Sequence, residues 1–317
     1  MLSAAKEERL LRWLRGRLGD EPLIGDDAAL LPGRFVATVD SQIEGVHFLP
    51  GTEAAVVARR LLAVNLSDLA ACGADPAYAL LALNAPAGFP HRRFLAALAA
   101  ACRRHGVRLA GGDLAASPGG LVATLTLLGR LPKGRRFLRR DRARPGQALW
   151  VGGTLGESAA GRLLLAAGVA AGDAAAQRAV RRHLAPAPQL ALGRWLGERR
   201  GATGAAIDVS DGLARDLHRL CAASGVGAVV EAERLPLQHG FVALCARLGR
   251  EPLELALGGG EDYVLLFTLP ARAEPPPAFG CRRIGTITAG RGVRLATGGR
   301  QRTLPPAGWD HLTAAAT

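Results

Sequence analysis

AVVARRLLAVNLSDLAACGADPAYALLALNA, residues 55–85, sets the frame for the rest of the chain. From Ala55 to Cys72 apolar residues recur at helical spacing and make an apolar face, so a helix is expected there, followed by a strand from Tyr78 to Ala85. Working outward, Phe35–Asp40 reads as a strand, Arg92–His105 as a helix and Leu121–Leu131 as a strand. Pro132–Gly146 holds six arginines, proline and glycine turns and almost no apolar periodicity, and reads as the join between two halves. Beyond it come a strand at Ala148–Val151, three helical patterns between Glu157 and Arg199, a strand at Ala205–Val209 and a helix beginning near Ser210. Strands at Ala228–Glu231, Tyr263–Leu269 and Arg283–Ile287 close the pattern, with Pro275–Pro277 in a surface loop. No short-period repeat is present. The expectation is an α/β (α+β) protein of two domains, 1–134 and 135–317, with some meandering strands rather than one continuous doubly wound sheet.

The composition narrows the class. Of 317 residues, 49% are apolar and 21% charged, the profile of a globular domain with a core of its own. No apolar run reaches the roughly 18 residues of a membrane span. Met1–Leu18 mixes arginines with Glu7 and Glu8 and reads as a short amphipathic helix, not a signal peptide, so a cytoplasmic setting is expected. Five scattered cysteines without a C-x-x-C argue for buried free thiols. The net charge of +13 comes almost wholly from arginine, with Lys6 and Lys133 the two lysines. Such charge steers any polyanion. With aromatics at 4% and no groove-reading motif, neither a nucleic-acid partner nor a membrane partner is expected.

Ten of the 27 acidic residues fall in six glycine-punctuated segments. These hold Asp26 and Asp27, Asp40 and Glu44, Asp68, Asp113, Asp208 and Asp211, and Glu261 and Asp262. Several follow an apolar strand, where open α/β sheets place ligands. Any one of them also fits as a turn former or helix cap, Ser210 or Asp211 among them. Six together repel one another unless cations compensate, and hard cations, Mg²⁺ above all, suit oxygen ligands and bind phosphates as well. Gly111, Gly112 and Gly258–Gly260 let backbone N–H groups approach phosphate oxygens. No P-loop or dinucleotide fingerprint is present. The run G-G-T-L-G-E-S from Gly152 reads as a loose phosphate loop or as a plain strand-to-helix turn. Ser210 lies in V-S-D-G, not in a hydrolase elbow. His47 follows Gly45 in an expected loop and reads first as a structural histidine, with an anion ligand as the alternative.

V-N-L-S-D-L-A-A-C-G-A-D-P (Val64–Pro76), I-D-V-S-D-G-L, G-G-E-D-Y and G-W-D-H, in this order, resemble the thiamine-monophosphate kinases. Those enzymes belong to the superfamily of aminoimidazole ribonucleotide synthetase and selenophosphate synthetase. The likeness runs from Ile24 to Leu312. It implies an aminoimidazole ribonucleotide synthetase-like fold: a homodimer in which N-terminal strands of two subunits share a barrel, with a C-terminal α/β domain. It also implies phosphoryl transfer from ATP to thiamine monophosphate in a cleft between the halves. Position by position, Asp27, Thr38, Asp40, Asp68, Asp113, Asp208 and Asp211 match ligands of several Mg²⁺ ions, with Val39 serving through its backbone carbonyl. Gly112, Asp113, Arg140 and Ser210 match contacts to ATP. His47, Glu261 and Trp309 match the acceptor site, with Trp309 packing on the thiamine.

The chain departs from the family at Leu114 and Ala115, which stand for two threonines. Val39 stands for a hydroxyl residue and Val264 for a glutamate. The nearest rivals are another ATP-using enzyme of the superfamily and a non-catalytic nucleotide sensor. A selenophosphate synthetase would carry a reactive cysteine before Ile24, where none occurs. No catalytic base or nucleophile is expected, because a phosphate acceptor is already ionised; positioning and charge neutralisation then carry the reaction.

Overall fold

The computed structural model describes residues 6–18, 23–199 and 203–310. Met1–Ala5 of the expected N-terminal helix, and His311 and Leu312 of the closing motif, lie outside them. The first half runs α1 (Lys6–Arg15), β1 (Ala29–Leu31), β2 (Phe35–Ile43), α2 (Ala54–Ala71), β3 (Asp75–Ala85), α3 (His91–Arg104), β4 (Arg108–Ala116) and β5 (Val122–Arg130). Its five strands form an open sheet in the order β1-β2-β5-β3-β4, antiparallel except for the parallel β3–β4 pair.

The second half runs β6 (Ala148–Val151), α4 (Glu157–Ala166), α5 (Ala174–Leu184), α6 (Leu190–Glu198), β7 (Ala206–Asp208), α7 (Leu213–Ser224) and β8 (Gly227–Glu231). It continues with α8 (Phe241–Arg247), α9 (Pro252–Gly258), β9 (Leu265–Leu269), β10 (Arg282–Thr288), β11 (Gly292–Thr297) and β12 (Arg300–Thr303). These seven strands form a mixed sheet in the order β12-β11-β8-β10-β6-β9-β7. Both faces are covered, which explains the uninterrupted apolar run of β6. Leu149 and Val151 join the core under α7, while Ala148 and Trp150 join a second core with Leu192 and Leu196 of α6.

α2 is the axle of the molecule. Leu61, Leu62, Leu66 and Leu69 pack on Leu81, Leu83, Leu125 and Leu127 of the first sheet, while Ala70 and Ala71 join Leu265 and Phe267 of the second. A helix packed on two sides is apolar nearly all round, and each fully buried leucine contributes roughly 1.5–3 kcal/mol relative to exposure. Small residues permit the approach: a Cβ on Gly193 of α6 would sit 2.1 Å from the Ala70 carbonyl oxygen.

The expected strands and helices occur with ends shifted by a few residues, except β6, which has the expected bounds. Six elements, β1, β4, α8, α9, β11 and β12, have no counterpart in the sequence reading. β4 spans Ala-Gly-Gly-Asp and is exposed throughout, so it carries no alternation of buried and exposed positions. Helices α8 and α9 are each seven residues long. β11 and β12 form a hairpin turned by Gly298 and Gly299, both at positive φ (54° and 77°), as a tight two-residue turn requires. No described helix is long and apolar enough to cross a membrane.

Candidate active site

A cleft of about 320 Å³ opens between the halves. Its floor is built from strand and helix ends that the two cores hold rigidly. α2 carries Asp68, β7 ends on Asp208, and Asp27 lies just before β1. Oxygens of these three carboxylates all lie within 4.8 Å of one another. Burial pushes the pKa of Asp68 well up, and Asp40, Asp208 and Asp27 add to the rise. Asp208 is likewise raised by burial and then by Asp27. Three clustered carboxylates, with no thiol or imidazole among them, make a donor set for a hard cation.

The surroundings fix these groups. The Thr38 hydroxyl donates to Asp68 (2.5 Å) and the Ser67 hydroxyl to Asp208 (2.7 Å). The Asp40 N–H donates to Asn65 Oδ1 (3.1 Å), and Asn65 Nδ2 donates in turn to the Leu61 carbonyl (2.9 Å). Arg140 donates from its guanidinium to Asp27 (2.6 Å) and from its backbone N–H to Asp26 (2.8 Å). Burial opposes the charge on Arg140, yet Asp27 holds its pKa above the ordinary arginine value.

On the opposite wall the backbone is strained. Glu261 and Tyr263 adopt left-handed φ values of 59° and 49°, rare for residues with a side chain. Two hydrogen bonds impose them, Glu261 N–H to Ser210 O (2.6 Å) and Tyr263 N–H to Val209 O (2.8 Å). The Trp309 N–H donates to Asp211 O (3.0 Å), and a Cβ on neighbouring Gly308 would sit 2.3 Å from that same oxygen. Thus I-D-V-S-D-G, G-G-E-D-Y and G-W-D meet at one point.

Glu261 is ion-paired to the guanidinium of Arg60 and lies 3.3 Å from His183 Nδ1. Burial alone would raise its pKa; Arg60 and His183 outweigh that and hold it at about 2. Arg60 is itself fully buried and also bonds Gln42 Oε1 (2.9 Å) and the His183 carbonyl. It thereby ties β2 to the second half. His47 accepts the Ile43 N–H at Nδ1 (3.0 Å).

Of the residues anticipated from sequence, Asp27, Thr38, Val39, Asp40, His47, Asp68, Arg140, Asp208, Ser210, Asp211, Glu261 and Trp309 all line this cleft. Gly112 and Asp113 do not. Both lie on the exposed edge strand β4, where Gly112 has φ 152° and a Cβ would sit 1.8 Å from the Leu81 carbonyl oxygen. Close strand packing therefore demands that glycine. Asp262, in the same motif as Glu261, serves the fold instead: buried, it accepts the Gly156 N–H that opens α4 (2.9 Å). Of the departures from the family pattern, Val39 lines the cleft, Val264 is buried in the core, and Leu114 is exposed on β4 away from the cleft.

Arg60, Asp216, His183 and Arg162 were not anticipated. Asp216 accepts the N–H groups of Ser210 and Asp211 (3.1 and 3.0 Å) and holds that turn. Burial and then Asp211 push its pKa up to about 7. Its signal was an acidic residue in the first turn of the helix after V-S-D-G; that of Arg60 was a charge inside an apolar helical run.

Comparison with known proteins gives the family. The family model for AIR synthase related protein, N-terminal domain, matches residues 25–131, and that for the C-terminal domain matches 144–297. Thiamine-monophosphate kinase of Salmonella typhimurium is 38% identical over 313 residues, 93% of each chain. That of Escherichia coli is 39% identical over 314 residues, again 93% of each. The solved structure of AaThiL complexed with AMPPCP and TMP superposes with a TM-score of 0.87 at 31% identity, covering 98% of this chain and 100% of the other. The chain belongs to the thiamine-monophosphate kinase family of AIR synthase related proteins.

Proposed function

We propose that this protein transfers the γ-phosphoryl group of ATP to thiamine monophosphate, yielding thiamine diphosphate and ADP. The observation that carries the reading is the triad of buried carboxylates, Asp27, Asp68 and Asp208, facing Glu261 and Trp309 across one cleft. The named activity of relatives at 38–39% identity supports it, as does the likeness to a structure holding AMPPCP and TMP.

Asp27, Asp40, Asp68, Asp208 and Asp211 would hold the cations, helped by the Thr38 hydroxyl and the Val39 carbonyl. Mg²⁺ held by these residues would supply charge neutralisation at the phosphate oxygens. Arg140 shifts between Asp27 and the triphosphate, and Ser210, on the turn that Asp216 fixes, adds a contact to the nucleotide. His47, Glu261 and Trp309 hold the acceptor, with the indole of Trp309 against its aromatic rings and the Glu261 carboxylate facing the cationic thiazolium. The acceptor oxygen is already ionised near neutral pH, so no side chain removes a proton and transfer is direct and in line.

The reading includes a homodimer. Val39, Leu80, Leu109 and Leu114 are exposed apolar side chains on the first sheet, and β4 is an uncovered edge, both features that a second copy would bury. A shared barrel brings Gly112 and Asp113 toward a nucleotide. The two domains divide within residues 132–146. The setting is cytoplasmic, which suits the free thiols of Cys72, Cys102, Cys221 and Cys245.

The test is to incubate the protein with ATP and Mg²⁺ and with thiamine monophosphate, thiamine or no acceptor, and to identify the products by mass. Thiamine diphosphate and ADP in equal amounts, from the monophosphate alone, support the reading. ADP release indifferent to the acceptor overturns it.

A further inference from the structure

We propose that Arg162 reads the phosphate of the acceptor and so sets the preference for thiamine monophosphate over thiamine; this rests on the function proposed above.

The argument begins with a charge imbalance. Nine acidic side chains line the cleft against three arginines. Two of those arginines are committed. Arg140 bonds Asp27 (2.6 Å), and Arg219 bonds Asp211 (2.6 Å) and Asp216 (2.9 Å). Arg162 alone of the three forms no ion pair with any described residue. Its neighbours include the ring of Trp309, whose centroid lies 6.0 Å from the guanidinium carbon, and the imidazole of His183, whose charge it disfavours. A cation in an acidic cleft, half-buried and over the face of an aromatic ring, is placed to bind an anion.

The local helix fixes which anion. Arg162 is on α4, one turn beyond Ser158 and Ala159, so the three share a face. The Ser158 hydroxyl is 3.4 Å from His183 Nδ1, and His183 contacts Glu261. Ala159 packs against Gly259, whose added Cβ would lie 2.5 Å from the alanine methyl. This face of α4 therefore backs the G-G-G-E loop and Trp309, where the acceptor binds, whereas Arg140 serves the end marked by Asp27.

The chemistry suits the placement. A guanidinium fork takes two phosphate oxygens and leaves the third free. That oxygen forms the new bond to the γ-phosphorus as the bond from the γ-phosphorus to its bridging oxygen breaks; ADP leaves with the electron pair and no proton moves. A guanidinium neutralises the acceptor without competing for the carboxylate-held cations. Thiamine, which lacks the phosphate, gains nothing from it.

The experiment is a cycle of two proteins and two ligands. Binding of thiamine monophosphate and of thiamine is measured by calorimetry for wild type and Arg162→Met, each with Mg²⁺ and AMPPCP present, beside steady-state KM values for both substrates. Arg162→Met is expected to weaken thiamine monophosphate binding roughly 10- to 100-fold, the range for losing a hydrogen-bonded charge contact. Thiamine binding and the KM for ATP should change less than about twofold on the same reasoning, and Arg162→Lys, which keeps the charge but not the fork, should fall between. Equal weakening of both ligands, by loss of the packing on Trp309, overturns the inference. So does unchanged binding of thiamine monophosphate, or a rise in the KM for ATP. An unaltered AMPPCP affinity shows that the variant is folded. Failure of the functional reading shows in the wild type, as an absence of thiamine diphosphate; failure of this inference shows in the variants.

Discussion

Replacing Arg60 by methionine removes a guanidinium that is 1% exposed and bonded to Gln42, the His183 carbonyl and Glu261. Methionine nearly matches the stem in volume, so the loss is chiefly polar. Glu261 then keeps its charge in a largely buried site without its principal cation. Arg60, with His183, holds the Glu261 pKa at about 2 against an ordinary 4.5, about two and a half units of which Arg60 supplies the largest share, and each unit corresponds to about 1.4 kcal/mol. That gives about 3 kcal/mol, the lower end of the 3–5 kcal/mol typical of breaking a buried ion pair, as suits a carboxylate that is 20% exposed. The sign in pH follows. A depressed carboxylate pKa contributes stability that is present above about 4.5 and lost as pH falls through about 2. Urea unfolding at pH 7 should therefore show Arg60→Met weaker by about 3 kcal/mol, with the gap narrowing as the pH is lowered toward 3. Adding Glu261→Gln to Arg60→Met should recover part of the loss. A gap below about 1 kcal/mol at pH 7, or one that does not change with pH, would refute the reasoning, since it would mean that solvent and not Arg60 balances Glu261.

Asp68→Asn and Asp211→Asn should each lower kcat at least ~10²-fold, the cost of losing a main electrostatic stabiliser, and near-normal turnover in both would remove the carboxylate account. Asp262 titrates the other way from Glu261: burial raises its pKa to about 7, so stability is greatest while it is protonated and falls as pH rises from about 4 through 7. Asp262→Asn should flatten that fall by up to about 4 kcal/mol in metal-free thermal melts at pH 5 and pH 8; an unaltered pH slope counts against it. Gly112→Ala sets a methyl against the Leu81 carbonyl and should cost about 2 kcal/mol or more in urea unfolding, whereas a silent substitution would mean that β4 relaxes freely.

The sequence made the site more legible than the fold. Asp27, Asp68, Asp208 and Glu261 sit in short motifs whose spacing survives whatever lies between them, and all four line the cleft. Elements with strong periodicity, such as α2 and β3, were legible because one face or more is buried. β4 was not, because an exposed edge strand of alanine, glycine and aspartate carries no burial pattern and little strand propensity. Arg60 and Asp216 escaped notice for a different reason. Arg60 meets Glu261 across 201 residues of sequence, and only the packing of α2 brings it there, whereas Asp216 holds backbone N–H groups five and six residues away and reads in sequence as an ordinary first-turn acidic residue.

The account stands or falls on where the γ-phosphoryl group goes. With ATP radiolabelled at its γ-phosphorus, Mg²⁺ and thiamine monophosphate in a single turnover, all label leaving ATP should appear in thiamine diphosphate, with none on the protein at any time. Label recovered as inorganic phosphate whatever the acceptor, or held on the protein before it reaches product, would contradict direct transfer between the two substrates.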